Sequence, residues 1–315
     1  MGSSSRPFLS VVVCTRDRGS AVAQTVTSLL GNSYPAYEVL VVNQSRTDDT
    51  AQSLTALGRD GRLRSLRSCE AGLSRARNLG VCESKGQIIA FTDDDCDVPE
   101  NWLEEVAAAF EVDRRIQLVF GSVIPAPHEP SEGLIPSYEL REPFVARTVR
   151  DKKRADGMGA CMALRRSTWD ALGGFDPCLG AGAPLRSAEE NDFALRVLLA
   201  GFWVYETPAV RVLHRGLRPR QAHDALAANY LFGTGAMFAK HFRLGHRGIV
   251  PLLSLIFLRW VFERPLVSYS TSPRRLLRLT AFCRGWIEGM RTPLDRATGL
   301  YGLPSPVGPG LGGAR

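Results

Sequence analysis

Residues 88–102 read IIAFTDDDCDVPENW: an apolar run ends in Asp93, Asp94 and Asp95, and Asp97 follows after one cysteine. Adjacent carboxylates repel one another, so such a cluster at the end of a buried strand needs positive charge beside it. Alternate side chains of an extended segment point the same way, which lets Asp93 and Asp95 face one ligand together. Paired hard oxygen donors suit Mg2+ or Mn2+, which completes its shell with water and phosphate oxygens. A helix cap uses a single carboxylate. That is the task expected of Asp97, with Pro99 in the first turn of the helix it opens. A second acidic cluster, Glu189 and Glu190 in AEENDFALR, falls in the first turn of a predicted helix, where the macrodipole favours negative charge.

The elements that position these groups alternate. LSVVV (9–13) is a continuous β-branched run, the pattern of a parallel strand buried on both faces. Ser20 is a candidate cap for a helix with Val22, Val26, Leu29 and Leu30 on one face. The strand YEVLVV (37–42) leads to NQSRTDDT, where Thr47 is placed to cap the helix carrying Leu54 and Leu57. A short strand near Leu63–Leu66, the helix GLSRARNLGVCES (72–84), QIIAF, the helix PENWLEEVAAAF and the strand IQLVFG (116–121) follow. Such alternation predicts an α/β fold with an open, mostly parallel, Rossmann-like sheet. Ligands then bind beyond the carboxyl ends of the strands, where TRDR, NQSRTDD and TDDDCD all lie.

The proline-rich stretch 125–143 reads as a loop or flap, and the chain is mostly helical from about residue 221. Three units are expected: a catalytic domain over 8–215, a helical extension over 216–300, and a tail without regular structure over 301–315.

The 44% hydrophobic and 23% charged fractions are those of an ordinary globular protein, which excludes disordered and fibrous classes. The net charge of +7 rests on arginine, with only four lysines. These arginines form no stripe and the ligand edge is acidic, so no nucleic-acid partner is expected. Seven cysteines without a CxxC pair read as reduced thiols. MGSSSRPF lacks a signal-peptide core, and Arg6 breaks the myristoylation pattern, so a cytoplasmic protein is expected. The apolar run 249–258 is shorter than the roughly 20 residues of a spanning helix.

In order and spacing, VVVCTRDR, VVNQSRTDDT, GLSRARNLG, IIAFTDDDC and the later EEND resemble the family 2 glycosyltransferases of the A-type, nucleotide-sugar-dependent fold, over about residues 8–215. The resemblance implies a metal-dependent, inverting transfer of one sugar from a nucleotide-sugar donor to a hydroxyl acceptor, with Mn2+ or Mg2+ as cofactor. Thr15 and Arg18 would line the nucleotide pocket. Asn43 stands where the family usually places an aspartate against the base; an amide donates as well as accepts, so the nucleotide is left open. Arg77 and Glu189 would lie near the nucleotide sugar with Asp94, Asp93 would touch ribose or metal, and Asp95 would bind the metal. Glu190 would be the base that takes the acceptor's proton. His214, in VRVLHRG, would be a third metal ligand. The chain has no QxxRW segment, which processive synthases of the family carry, so a single transfer per encounter is implied.

Two alternatives remain open: a sugar nucleotidyltransferase, disfavoured because CTRDRGS has too few glycines, and an inactive nucleotide-binding protein. In 273–290, Leu276, Leu279, Cys283 and Ile287 share a helix face apart from Arg274, Arg275 and Arg278. That face either caps the core or, with IVPLLSLIFLRW, rests as a basic amphipathic patch on the inner face of a membrane. Oligomeric state is not legible.

Overall fold

The computed structural model describes residues 6–262 and 275–302. The first half runs β1 (Leu9–Thr15), α1 (Ala21–Leu30), β2 (Tyr37–Asn43), α2 (Asp49–Thr55), β3 (Leu63–Arg67), α3 (Leu73–Glu83), β4 (Ile88–Asp93), β5 (Cys96–Asp97), α4 (Trp102–Glu111) and β6 (Ile116–Pro125). The second half runs β7 (Phe144–Ala146), β8 (Cys161–Arg165), α5 (Arg166–Leu172), α6 (Glu189–Leu199), β9 (Trp203–His214), α7 (His223–Arg243), α8 (Ile249–Phe262) and α9 (Arg275–Arg291). A small antiparallel pair, β10 (Leu294–Asp295) and β11 (Leu300–Tyr301), follows.

The nine-stranded sheet has the order β3-β2-β1-β4-β8-β6-β9-β5, with β7 also paired to β9. Strands β3, β2, β1, β4, β6 and β9 share one direction, and β8, β5 and β7 oppose it. The expected mostly parallel sheet is therefore present, with an antiparallel insertion. β1 and β2 can lie inside the sheet, away from its edges, because their β-branched runs leave almost no polar side chain to solvate. One apolar cluster fills the space under α1 and α4, and another lies on the opposite face under α3 and α6. Gly80 allows α3 to sit close on β1: a Cβ there would come within 2.4 Å of Val12.

Local expectations fail at two caps. Helix α2 starts one residue later than expected, with Asp48 at its N-cap, and the Thr47 hydroxyl instead donates to Asp49. Helix α4 has Asn101 at its N-cap, not Asp97. Asp97 belongs to β5, where strand pairing with Leu213 and an ion pair to Arg215 at 3.0 Å hold it. At Asp97, long-range partners outweigh the local capping preference. Part of GMGACMALRR is a strand, β8, wedged between β4 and β6.

A third core cluster joins residues 178–195 to α7, α8 and α9. Helices α7 and α9 cross at backbone contact, since a Cβ on Gly235 would meet the Phe282 carbonyl and one on Gly285 the Phe232 carbonyl. The inward side of α9 is Ala281, Phe282, Gly285 and Gly289, whereas Leu276, Cys283 and Ile287 point outward. The extension thus caps the core, but by a different face from the apolar one in its sequence. Arg274 and the side chain of Arg275 lie outside the described residues, as does the tail beyond 302.

Candidate active site

Parallel register brings three strand ends level. Cys14 pairs with Asp93 across β1 and β4, and Thr15 pairs with Asn43 across β1 and β2. The loop after β1 returns over this edge, held by Asp17, whose carboxylate accepts from the Arg46 backbone N–H and guanidinium at 2.9 and 3.0 Å. Arg18 is thereby placed 3.5 Å from Asp94 Oδ1 and 3.1 Å from Asp95 Oδ2. Arg77 lies 3.8 Å from Asp93 and Arg218 3.8 Å from Asp95. Each aspartate of the triplet therefore has an arginine beside it.

The aspartates are not equivalent. Burial raises Asp94 to about 6, although the Thr15 hydroxyl and Arg18 pull it down. Burial also opposes the charge on Asp95, but the hydrogen bond and charge of His214, with Arg18 and Arg218, outweigh it and hold Asp95 below its ordinary value. His214 Nδ1 is 2.8 Å from the Pro136 carbonyl, which can only accept, so Nδ1 carries the proton. In the neutral ring, Nε2 then aims a lone pair at Asp95 Oδ1 only 3.1 Å away. Two acceptors facing at that distance require a proton or a cation. Burial works against the imidazolium, yet Asp95 more than compensates and the His214 pKa is raised.

Gly216 keeps this notch open. A Cβ there would stand 2.5 Å from Asp95 Oδ2 and 2.7 Å from His214 Nε2. One donor atom from each of Asp95, Cys96 and His214 lies within 4.8 Å of the others. Burial and the neighbouring aspartates keep the Cys96 thiol protonated, so oxygen and imidazole are the usable donors. Asp93 stands outside this group at the mouth, its side chain 38% exposed. Sequence reasoning missed Gly216; its only signal was the HRG step after β9.

The second acidic cluster opens α6, and its side chains separate. Glu189 accepts from Arg77 at 2.9 Å, with both side chains buried and the guanidinium lying over Phe91 and Phe175. Glu190 Oε2 is buried and has no hydrogen-bond partner among the described residues. Burial first, then the charge of Glu189, pushes Glu190 well above the ordinary carboxylate range against the pull of Arg77. Asn191 accepts from Lys152 Nζ at 2.6 Å. Asp192 is fully buried against Lys240 at 2.7 Å, Arg196 at 3.0 Å and His241 at 3.0 Å.

Only Glu190 of this turn is left to face a ligand. Arg186 and Ala188, just before it, hold positive φ angles of 74° and 75°. Such left-handed backbone is costly for non-glycine residues and persists where surroundings enforce it. Here they do: Arg186 donates to Asn229 at 2.9 Å, and the Ser187 hydroxyl donates to the carbonyls of Asn229 and Tyr230 at 3.1 Å.

Asn43 is buried, and its Oδ1 accepts the Ser45 N–H at 2.9 Å, which leaves Nδ2 as its free functionality. Thr15 is buried beside Asp94.

A model of glycosyl transferase family 2 matches residues 10–173. The chain belongs to glycosyl transferase family 2. It is 28% identical over 245 residues to uncharacterized protein y4gI of Sinorhizobium fredii, covering 69% of this chain and 25% of that protein. It is 30% identical over 106 residues to glycosyltransferase AglE of Haloferax volcanii, covering 32% of this chain and 35% of that one. The chain thus spans less than half the length of these relatives.

Two solved structures share its fold. One is mannosyltransferase PcManGT from Pyrobaculum calidifontis, in complex with GDP-Man and Mn2+, at TM-score 0.58 and 17% identity, covering 93% of this chain and 78% of that one. The other is Staphylococcus aureus TarS 1–349, at TM-score 0.53 and 15% identity, covering 90% and 80%. The A-type architecture expected from the motifs is present. Membership of glycosyl transferase family 2 favours glycosyl transfer over nucleotidyl transfer.

Proposed function

We propose that this glycosyltransferase moves a single sugar from a nucleoside-diphosphate sugar to an acceptor hydroxyl, with inversion and in dependence on Mn2+ or Mg2+. The reading rests on the open notch between Asp95 and His214, where a lone pair and a carboxylate converge beside Gly216. Asp95 and His214 would hold the ion, with Asp93 as the further carboxylate at the mouth. When bound, a divalent ion supplies positive charge to the diphosphate that leaves.

The chain's own residues do the rest. Glu190 is half-buried with a buried, unpartnered Oε2, so it can accept the hydroxyl proton as the acceptor oxygen bonds to the anomeric carbon and the bond to the diphosphate breaks. One displacement inverts the centre. Arg77 keeps Glu189 paired so that Glu190 faces the acceptor alone. Arg18, bridging Asp94 and Asp95, gives the diphosphate a cationic edge near Thr15. Asn43 offers the base an N–H rather than a carboxylate, which favours a base edge presenting a carbonyl.

Incubation with Mn2+ and a panel of nucleotide sugars, GDP-mannose among them because PcManGT was solved with it, tests the reading. Metal-dependent release of nucleoside diphosphate from at least one donor is expected. Metal-independent release, or none from any donor, would contradict it.

A further inference from the structure

Helix α9 uses its faces in an unusual way. Its glycine side packs against α7 at backbone contact, with Phe282 as its large buried side chain beside Phe238. The outward side carries further large apolar residues. With about 100° of turn per residue, Trp286, Leu279, Met290, Cys283, Leu276 and Ile287 fall within about a third of the circumference. Leu276 is 73% exposed, Ile287 47% and Met290 40%. Phe242 of α7, 52% exposed, extends the stripe by packing on Trp286 at 5.5 Å between ring centroids. Exposed Arg284 and Arg291 line one flank, with Glu288 beyond them, and Arg247 is exposed at the turn after α7.

We propose that this stripe is a docking surface for an anionic lipid bilayer, on which α9 lies parallel to the plane. The proposal deepens the glycosyltransferase reading by stating where the enzyme works. A contiguous exposed apolar stripe marks an interaction surface, and an arginine flank matches anionic headgroups. An antiparallel two-fold contact with a second copy would set the same arginine flanks against each other. No helix among the described residues is long and apolar enough to cross a membrane, so the contact lies in the interface. Helix α7, on which α9 rests, also holds the loop before Glu190 through Asn229 and Tyr230. The docked helix is therefore one packing layer from the catalytic turn.

Flotation of the full chain with phosphatidylcholine vesicles, with and without phosphatidylglycerol, tests this. The protein is expected to float with the anionic vesicles and to be released by high salt. Leu276→Ser/Ile287→Ser should lower vesicle affinity at least tenfold, since both residues lie outward and the fold does not depend on them. Arg284→Ser/Arg291→Ser should lower it roughly fivefold per arginine at low salt and blunt the salt effect. Equal binding by wild type and the apolar variant would overturn the proposal, as would absence of flotation. So would a dimer in sedimentation analysis that the apolar variant dissolves. Both variants should keep wild-type circular dichroism and donor hydrolysis in the absence of vesicles. That separates failure of docking from failure of the glycosyltransferase reading.

Discussion

At the scale of single residues, environment separates groups that look alike in sequence. Glu189 and Glu190 are neighbours of the same chemistry, yet one is neutralised by Arg77 and the other keeps a buried oxygen without a partner. Glu190→Gln should therefore lower kcat by about 10²–10⁴ while leaving metal-dependent donor affinity within a few-fold of wild type. Stopped turnover assays and calorimetry read the two quantities. Because Glu190 is raised above the ordinary carboxylate range, the acid limb of kcat should lie above that range, and activity should rise with pH until the group is ionised.

His214 sets a second dependence. Its imidazolium is favoured by Asp95, so protons compete with a divalent ion for Nε2. Mn2+ affinity should rise with pH through and somewhat above the usual histidine value of about 6.5, and a pH-independent calorimetric affinity would count against the assignment. For stability the sign is opposite. A raised histidine pKa contributes below its unfolded value and loses that contribution as pH climbs through the folded one.

Among the elements, α6 is anchored by a buried ion network just after Glu190. Asp192, Lys240 and Asp176 are fully buried, with Lys240 Nζ 2.7 Å from both carboxylates. Removing one member of a buried pair leaves an uncompensated charge, so Lys240→Met should destabilise the fold by about 3–5 kcal/mol in urea denaturation. Burial opposes the Asp192 charge, but Lys240, Arg196 and His241 hold its pKa far below the ordinary range. Its stabilising contribution is complete above the unfolded value of about 3.9 and is lost only on stronger acidification.

Little of this network is legible in the chain, because its members lie far apart in sequence and neither propensity nor period reports a long-range ion pair. The strands β1, β2 and β4 are legible, since centrality in a parallel sheet demands continuous apolar runs. Strand β8 is harder to read: its pairing with β4 and β6 is set by the sheet, and its glycine-rich approach reads locally as a turn. The caps at Thr47 and Asp97 fail for the same reason, since a nearby strand or carboxylate competes with the helix N–H groups. Gly216 matters for space and not for a turn, and only the folded notch reveals that.

For the whole molecule, the boundary drawn at residue 215 separates two stretches of sequence that share one core. Residues 178–195 pack with α7, α8 and α9, and Tyr301 donates its backbone N–H to Asp176 at 3.0 Å. A chain ending at residue 215 would expose that cluster and strip Lys240 from Asp176 and both Lys240 and His241 from Asp192. It should be insoluble or lack a cooperative thermal transition, whereas a soluble, cooperatively melting product would show that the extension is dispensable. The same packing ties α9, through α7, to the loop before Glu190.

The proposed chemistry needs a divalent ion in the notch that Gly216 keeps open. Calorimetric titration of a nucleoside diphosphate into wild type and Gly216→Ala protein, with and without Mn2+, measures this directly. Tight binding is expected only for wild type with Mn2+, and the variant, folded by circular dichroism, should lose most of the metal-dependent affinity. Unchanged affinity in the variant, or equal wild-type affinity without the metal, would contradict the assignment of Asp95 and His214 as its ligands.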